Sequence, residues 1–164
     1  MIKDLFPLKM KKQDCVRIYS PAVGQAMRIE KVKDQVFSEK LMGEGVAVLP
    51  ENGMITVPVD GKVKMLFPTL HAFGIETAEG VEILVHIGLD TVNLNGEGFT
   101  SCLKADKWYK AGAPAINVDL NFLREKGYDT TVIMVLLNCG ELNQISLKDV
   151  DKVNQQEVLM ELKK

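Results

Sequence analysis

The chain has 164 residues, of which 46% are hydrophobic and 26% charged. That length and mix fit one domain with its own core and exclude a mostly disordered chain. Twenty Lys plus Arg against 22 Asp plus Glu leave a net charge of −2, which gives nucleic acid no broad basic footprint.

Residues 1–15 read as a flexible arm, with lysines at 3, 9, 11 and 12 and no continuous apolar stretch of the signal-peptide kind. Residues 16–164 read as one domain. No segment approaches the ~18 apolar residues of a membrane span, so no stable membrane insertion is expected. The three cysteines, Cys15, Cys102 and Cys139, are widely spaced without a CxxC, which points to a reducing, cytoplasmic setting. A monomer is the default expectation.

Further along, short β segments alternate with glycine turns. Val46 to Leu49 runs into the turn Pro50-Glu51-Asn52-Gly53. Met54 to Val59 and Lys62 to Phe67 flank Asp60-Gly61, a strong two-residue hairpin signal, with Pro58 marking an edge or bulge. His71 to Glu76 and Val81 to Leu89 flank Thr77-Ala78-Glu79-Gly80. A short helix is expected with Asp119 as cap, Leu120 to Lys126 as body and Gly127 as stop. Val132 to Leu137 reads as a buried strand, and Glu157 to Leu162 as a closing one. The sum is an all-β fold, an antiparallel β-sandwich or barrel with short helical segments.

The sequence holds only two histidines, His71 and His86. A hairpin centred between Ala78 and Glu79 sets them directly opposite each other, with Cβ atoms about 4.5–5.5 Å apart. Val81, Ile83, Val85 and Ile87 then form a core stripe, while Glu82, Leu84, His86 and Gly88 line the other, less apolar face. Gly88 leaves the backbone beside His86 open to close approach. Three chemistries suit such a pair: phosphoryl transfer, a zinc site needing further ligands, or general acid–base hydrolysis. Periodicity leaves all three open.

The run Gly80-Val81-Glu82-Ile83-Leu84-Val85-His86-Ile87-Gly88-Leu89-Asp90-Thr91-Val92 resembles the signature of the glucose-family enzyme IIA of the bacterial sugar phosphotransferase system. Ser20-Pro21, Val36-Phe37, Gly43-Glu44-Gly45, Pro58-Val59-Asp60-Gly61, Thr69-Leu70-His71-Ala72 and Gly96-Glu97-Gly98-Phe99 follow the family's order. The resemblance implies a sandwich of the duplicated hybrid-motif type and a phosphoryl relay. His86 would take the group from the phosphohistidine of HPr and pass it to a cysteine of an enzyme IIB domain. His71 would help bind the group, and Thr69 would orient His71. Asp34 and Asp90 would be acidic residues meeting basic partners, around an apolar ring of Val36, Phe37, Met42, Phe67 and Leu84. The relay needs no cofactor; zinc held by His71 and His86 at a partner interface, and regulatory targets that read the state of His86, are further implications. The likeness loosens past Phe99. Lys104 to Ala113 is less glycine-rich than the family, Thr130-Thr131 stands where the family often has Thr-Pro, and Asp151 and Asn154 replace a glycine-marked stretch.

Overall fold

The structure, a computed structural model, describes residues 11–164. Residues 1–10, with Lys3 and Lys9 of the expected arm, lie outside the described residues. Toward residue 15 the chain is tied to the domain. Lys12 pairs with Glu141 at 3.0 Å, and the Gln13 N–H donates to Glu79 at 2.8 Å.

Among the described residues the strands form three sheets. The largest runs in the order β13 (Lys152–Val153), β2 (Gly24–Arg28), β3 (Gly45–Pro50), β11 (Val132–Cys139), β7 (Val81–Ile87), β6 (Ala72–Glu76), β5 (Gly61–Leu66) and β9 (Trp108–Tyr109). A second sheet is β1 (Cys15–Tyr19), β14 (Val158–Lys163) and β12 (Gln144–Leu147); a third is β4 (Met54–Thr56), β10 (Pro114–Val118) and β8 (Phe99–Ser101). All pairings are antiparallel, which makes the all-β sandwich of the sequence reading. The helix after Asp119 forms as expected: α2 (Leu120–Glu125) is capped by the Asp119 carboxylate on the Phe122 N–H.

One core lies between the sheets and joins Ile18, Ile55 and Ile116 to Val48, Ile83, Val85, Ile87 and Met134. A smaller one covers the opposite face of the large sheet, from Ile29, Val32, Phe37, Ala47, Ala72, Leu84, Leu89, Ile133 and Val135. This explains why β11 is apolar without alternation: Val132 and Met134 face the first core, Ile133 and Val135 the second. It also qualifies the expectation that His86 sits on the less apolar face, since Leu84 on that face is buried in this second core.

Two turn expectations are corrected. No hairpin forms at Asp60-Gly61: β4 pairs with β10, while β5 pairs with β6 and β9. Pro58 lacks an N–H, and the segment is spent on a corner between sheets. The Val57 N–H donates to the Ala113 carbonyl, the Tyr19 N–H to the Pro58 carbonyl, and the Ala111 N–H to the Asp60 side chain. The hairpin before His86 forms, but one residue out of the expected register. Ala72, not His71, lies opposite His86. The loop is Ala78–Gly80, closed by the Thr77 N–H on the Val81 carbonyl, and Gly80 takes the positive φ of 84° that a three-residue loop requires.

Candidate active site

With Ala72 opposite His86, an unbroken strand would turn His71 away from it. The strand is broken. Phe67 to Leu70 make a turn in which Leu70 has φ 58°, and β6 starts only at Ala72. His71 belongs to that turn, although its carbonyl still accepts the Ile87 N–H at 2.7 Å. The two imidazoles thus meet after all, edge to face, with ring centroids 5.0 Å apart.

Each ring is held by a neighbour of its own. Thr69 Oγ1 lies 2.7 Å from His71 Nδ1, and the Phe67 ring meets His71 at 5.2 Å. Phe37 packs against His86 at 5.0 Å. His71 is 5% exposed, and His86 is half-buried with its Nδ1 sealed from solvent and without a hydrogen-bond partner. The reachable nitrogen of His86 is therefore Nε2.

Burial lowers the pKa of His71, and lowers that of His86 to about 4, with the neighbouring His71 charge adding to the effect. The Gly88 carbonyl, then Asp34 and Asp90, act in the opposite direction on His86. Near pH 7 His86 is neutral and Nε2 is free to carry a lone pair, the state a nucleophile needs.

The remaining site expectations divide by place. Asp34 caps the short helix α1 (Gln35–Ser38), its carboxylate accepting the Val36 and Phe37 N–H groups. Asp90 is exposed in a left-handed conformation at φ 60° and caps nothing with its side chain. Of the apolar ring, Val36 is 44% exposed and Met42 is also open, Phe67 is half-buried, and Phe37 and Leu84 are buried in the second core. Sequence reasoning missed Leu41, 70% exposed with its N–H on the Val36 carbonyl, and Val92, exposed two residues past Asp90. Both lie beside residues already singled out, Leu41 next to Met42 and Val92 two past Asp90. Gly88 is needed for a different reason from the expected one. At φ 76°, a Cβ there would fall 2.5 Å from Thr91 and 2.9 Å from the Asp129 carbonyl, so the close approach comes from the chain itself.

Among the described residues no three His, Cys, Asp or Glu side chains are grouped to hold a metal ion. The histidine pair supplies two ligands, so zinc there would need others from a partner. Nor is any helix long and apolar enough to cross a membrane among those residues.

Residues 16–142 match the family described as phosphoenolpyruvate-dependent sugar phosphotransferase system, EIIA 1. The chain is 45% identical over 143 residues to the PTS system glucoside-specific EIICBA component of Staphylococcus carnosus (strain TM300), a match covering 87% of this chain and 20% of that protein. It thus spans about a fifth of that relative's length. The glucose permease IIA from Mycoplasma capricolum is similar in structure, with a TM-score of 0.84 at 35% identity over 93% of this chain and 99% of that one. On these matches the chain belongs to the EIIA 1 family of the sugar phosphotransferase system, whose domains are phosphotransferases that carry a phosphoryl group between the components of that system.

Proposed function

We propose that His86 Nε2 is the atom that carries the phosphoryl group, with HPr as donor and an enzyme IIB domain as acceptor. The observation behind this reading is the pair itself: two imidazoles 5.0 Å apart, the one of His86 half-buried with its Nδ1 sealed, which leaves Nε2 as the nitrogen within reach. In acceptance, the Nε2 lone pair attacks phosphorus and forms a P–N bond. The P–N bond to the HPr histidine breaks, and that ring keeps the electron pair. In delivery, a IIB cysteine thiolate attacks the same phosphorus, and the pair of the breaking P–N bond returns to His86. No nucleotide takes part, and the sequence has no Walker-type loop.

The transferred group carries about −1.5 to −2 charges, so its oxygens call for donors. His71 supplies one if the Thr69 hydroxyl donates to Nδ1, which puts the remaining proton on Nε2. Phe67 fixes the plane of that ring. The exposed Val36, Leu41, Met42 and Val92 would dock on the partner, with Phe37 and Leu84 supporting them from beneath. Asp90 outside this apolar patch would meet basic side chains on either partner. Asp34 would do so with a carboxylate already engaged at the α1 N-terminus. Three free thiols suit a cytoplasmic protein.

The test is phosphotransfer from phosphoenolpyruvate through enzyme I and HPr. The expected product is this chain bearing one acid-labile phosphoryl group that maps to His86. Label on another residue, or none from a competent phospho-HPr, would overturn the assignment.

A further inference from the structure

At the end of the β6–β7 hairpin away from the histidines, a cavity of about 750 Å³ opens between β1, residues 110–112 and residues 155–156. Glu79 of the hairpin loop lines it, seven residues before His86 and roughly 20 Å from it along the strand. Glu79 is only 8% exposed. One of its carboxylate oxygens accepts the Gln13 N–H at 2.8 Å; among the described residues the other accepts no hydrogen bond, and no Lys or Arg pairs with it. A carboxylate buried that deeply is costly unless donors meet it. The lining also holds Lys11, Arg17 and Lys110. Arg17 Nε lies 3.3 Å from Glu161, while Lys110 is exposed and makes no ion pair among the described residues. Gln155 is fixed by donating from Nε2 to the Met54 carbonyl, which leaves its side-chain oxygen as an acceptor. Asp60 lines the cavity too, with Oδ1 taken by the Ala111 N–H at 2.8 Å.

We propose that this cavity binds a phosphorylated sugar, with the phosphoryl group among Lys11, Arg17 and Lys110 and the hydroxyls on Glu79 and the glutamines. The volume falls in the range of small-molecule sites, about 300–1,000 Å³. Three cations against two carboxylates leave a net positive lining, so the ligand is an anion. Glu79 repels a second anionic centre, so the ligand bears its charge at one end and neutral donors at the other. Sugar hydroxyls are such donors, and O–H groups bind an ionised carboxylate strongly. A dicarboxylate fails at Glu79. An amino acid satisfies Glu79 through its ammonium but brings one negative charge to three cations. The site is independent of the role given to His86, and a ligand there does not block the histidine pair.

The test titrates the full ¹⁵N-labelled chain separately with glucose 6-phosphate, glucose and inorganic phosphate, read by calorimetry and by backbone amide spectra. Glucose 6-phosphate is expected to bind with a Kd on the order of 1 mM or below, and glucose and phosphate at least about tenfold more weakly. The amides of Gln13, Ala111 and Gln156 should shift, and those of Leu84 to Ile87 should not. Lys110→Glu should weaken glucose 6-phosphate about tenfold or more. Glu79→Gln keeps an oxygen for the Gln13 N–H; it should weaken glucose 6-phosphate about three- to tenfold yet tighten inorganic phosphate, because the repelling charge is gone. Both variants should accept phosphoryl groups like the parent. Unshifted cavity amides overturn the proposal, as does phosphate or glucose alone binding as tightly as glucose 6-phosphate. Should Glu79→Gln not fold, the exposed Lys110→Glu decides, and parent-like binding there overturns it.

Discussion

The two faces of β7 bear opposite duties. On one, Val81, Ile83, Val85 and Ile87 are sealed in the main core, each without measurable exposure. On the other, Leu84 is buried in the same small core as Phe37, but the next residue on that face, His86, is half-buried against the Phe37 ring and the second imidazole. The first face fixes the strand; the second uses that rigidity to hold the imidazole that we propose as the nucleophile. A reactive nitrogen on a mobile loop would lose much of the benefit of positioning on which a loose phosphoryl transition state depends.

Substitutions on the two faces should therefore separate function from stability. The largest effect is expected for His86→Gln, which should abolish acid-labile phosphorylation while leaving thermal unfolding close to the parent; retained labelling would place the acceptor elsewhere. Ile83→Ala, on the sealed face of the same strand, should do the reverse. Urea unfolding should show a loss of about 2–5 kcal/mol, with transfer intact wherever the protein stays folded. His71→Gln should still accept from HPr but deliver to IIB at least about a hundredfold more slowly, as for the loss of one donor on a charged transition state. Normal delivery would remove His71 from the reaction.

Acid sharpens the comparison further. The folded pKa of His86, about 4, lies below its ordinary value of 6.5. Between those two values the unfolded chain binds the extra proton, so the stabilisation is complete above pH 6.5 and is lost as pH falls toward 4. Compared from pH 7 to 4, the parent should lose on the order of 3 kcal/mol of unfolding free energy relative to His86→Gln. A constant difference would show that the ring is not held neutral. The smallest effect is expected for Asp90→Arg, a few-fold weaker HPr binding that shrinks at high salt because exposed charges are screened. A salt-independent loss would mean that Asp90 acts through shape instead.

Much of this was legible beforehand for concrete reasons. The apolar stripe of β7, the buried run of β11 and the cap at Asp119 all follow from side-chain periodicity and local hydrogen bonding, which act within a few residues. The register of the histidine hairpin was not legible to the residue, because Thr77-Ala78-Glu79-Gly80 suits a loop of either three or four residues. Hydrogen bonding at Thr77 and the left-handed Gly80 chose three. The histidines were expected to meet through direct pairing, and they meet instead through the turn at Leu70. The Asp60-Gly61 signal failed for a related reason: its flanking strands found better partners in different sheets, and Pro58 had no N–H to give a hairpin.

By itself the sequence determined which residues are the candidates for the proposed chemistry. Two histidines in the whole chain, a glycine two positions past one of them and a threonine two before the other are properties of the string. Tertiary structure alone decided what those residues are chemically. Phe37 packs on the His86 ring and burial lowers its pKa, the Leu70 turn swings His71 beside it, and the bend at Asp129 closes on Gly88 from the next strand. Burial and electrostatic shifts depend on what lies within a few ångströms in space, whatever the separation along the chain.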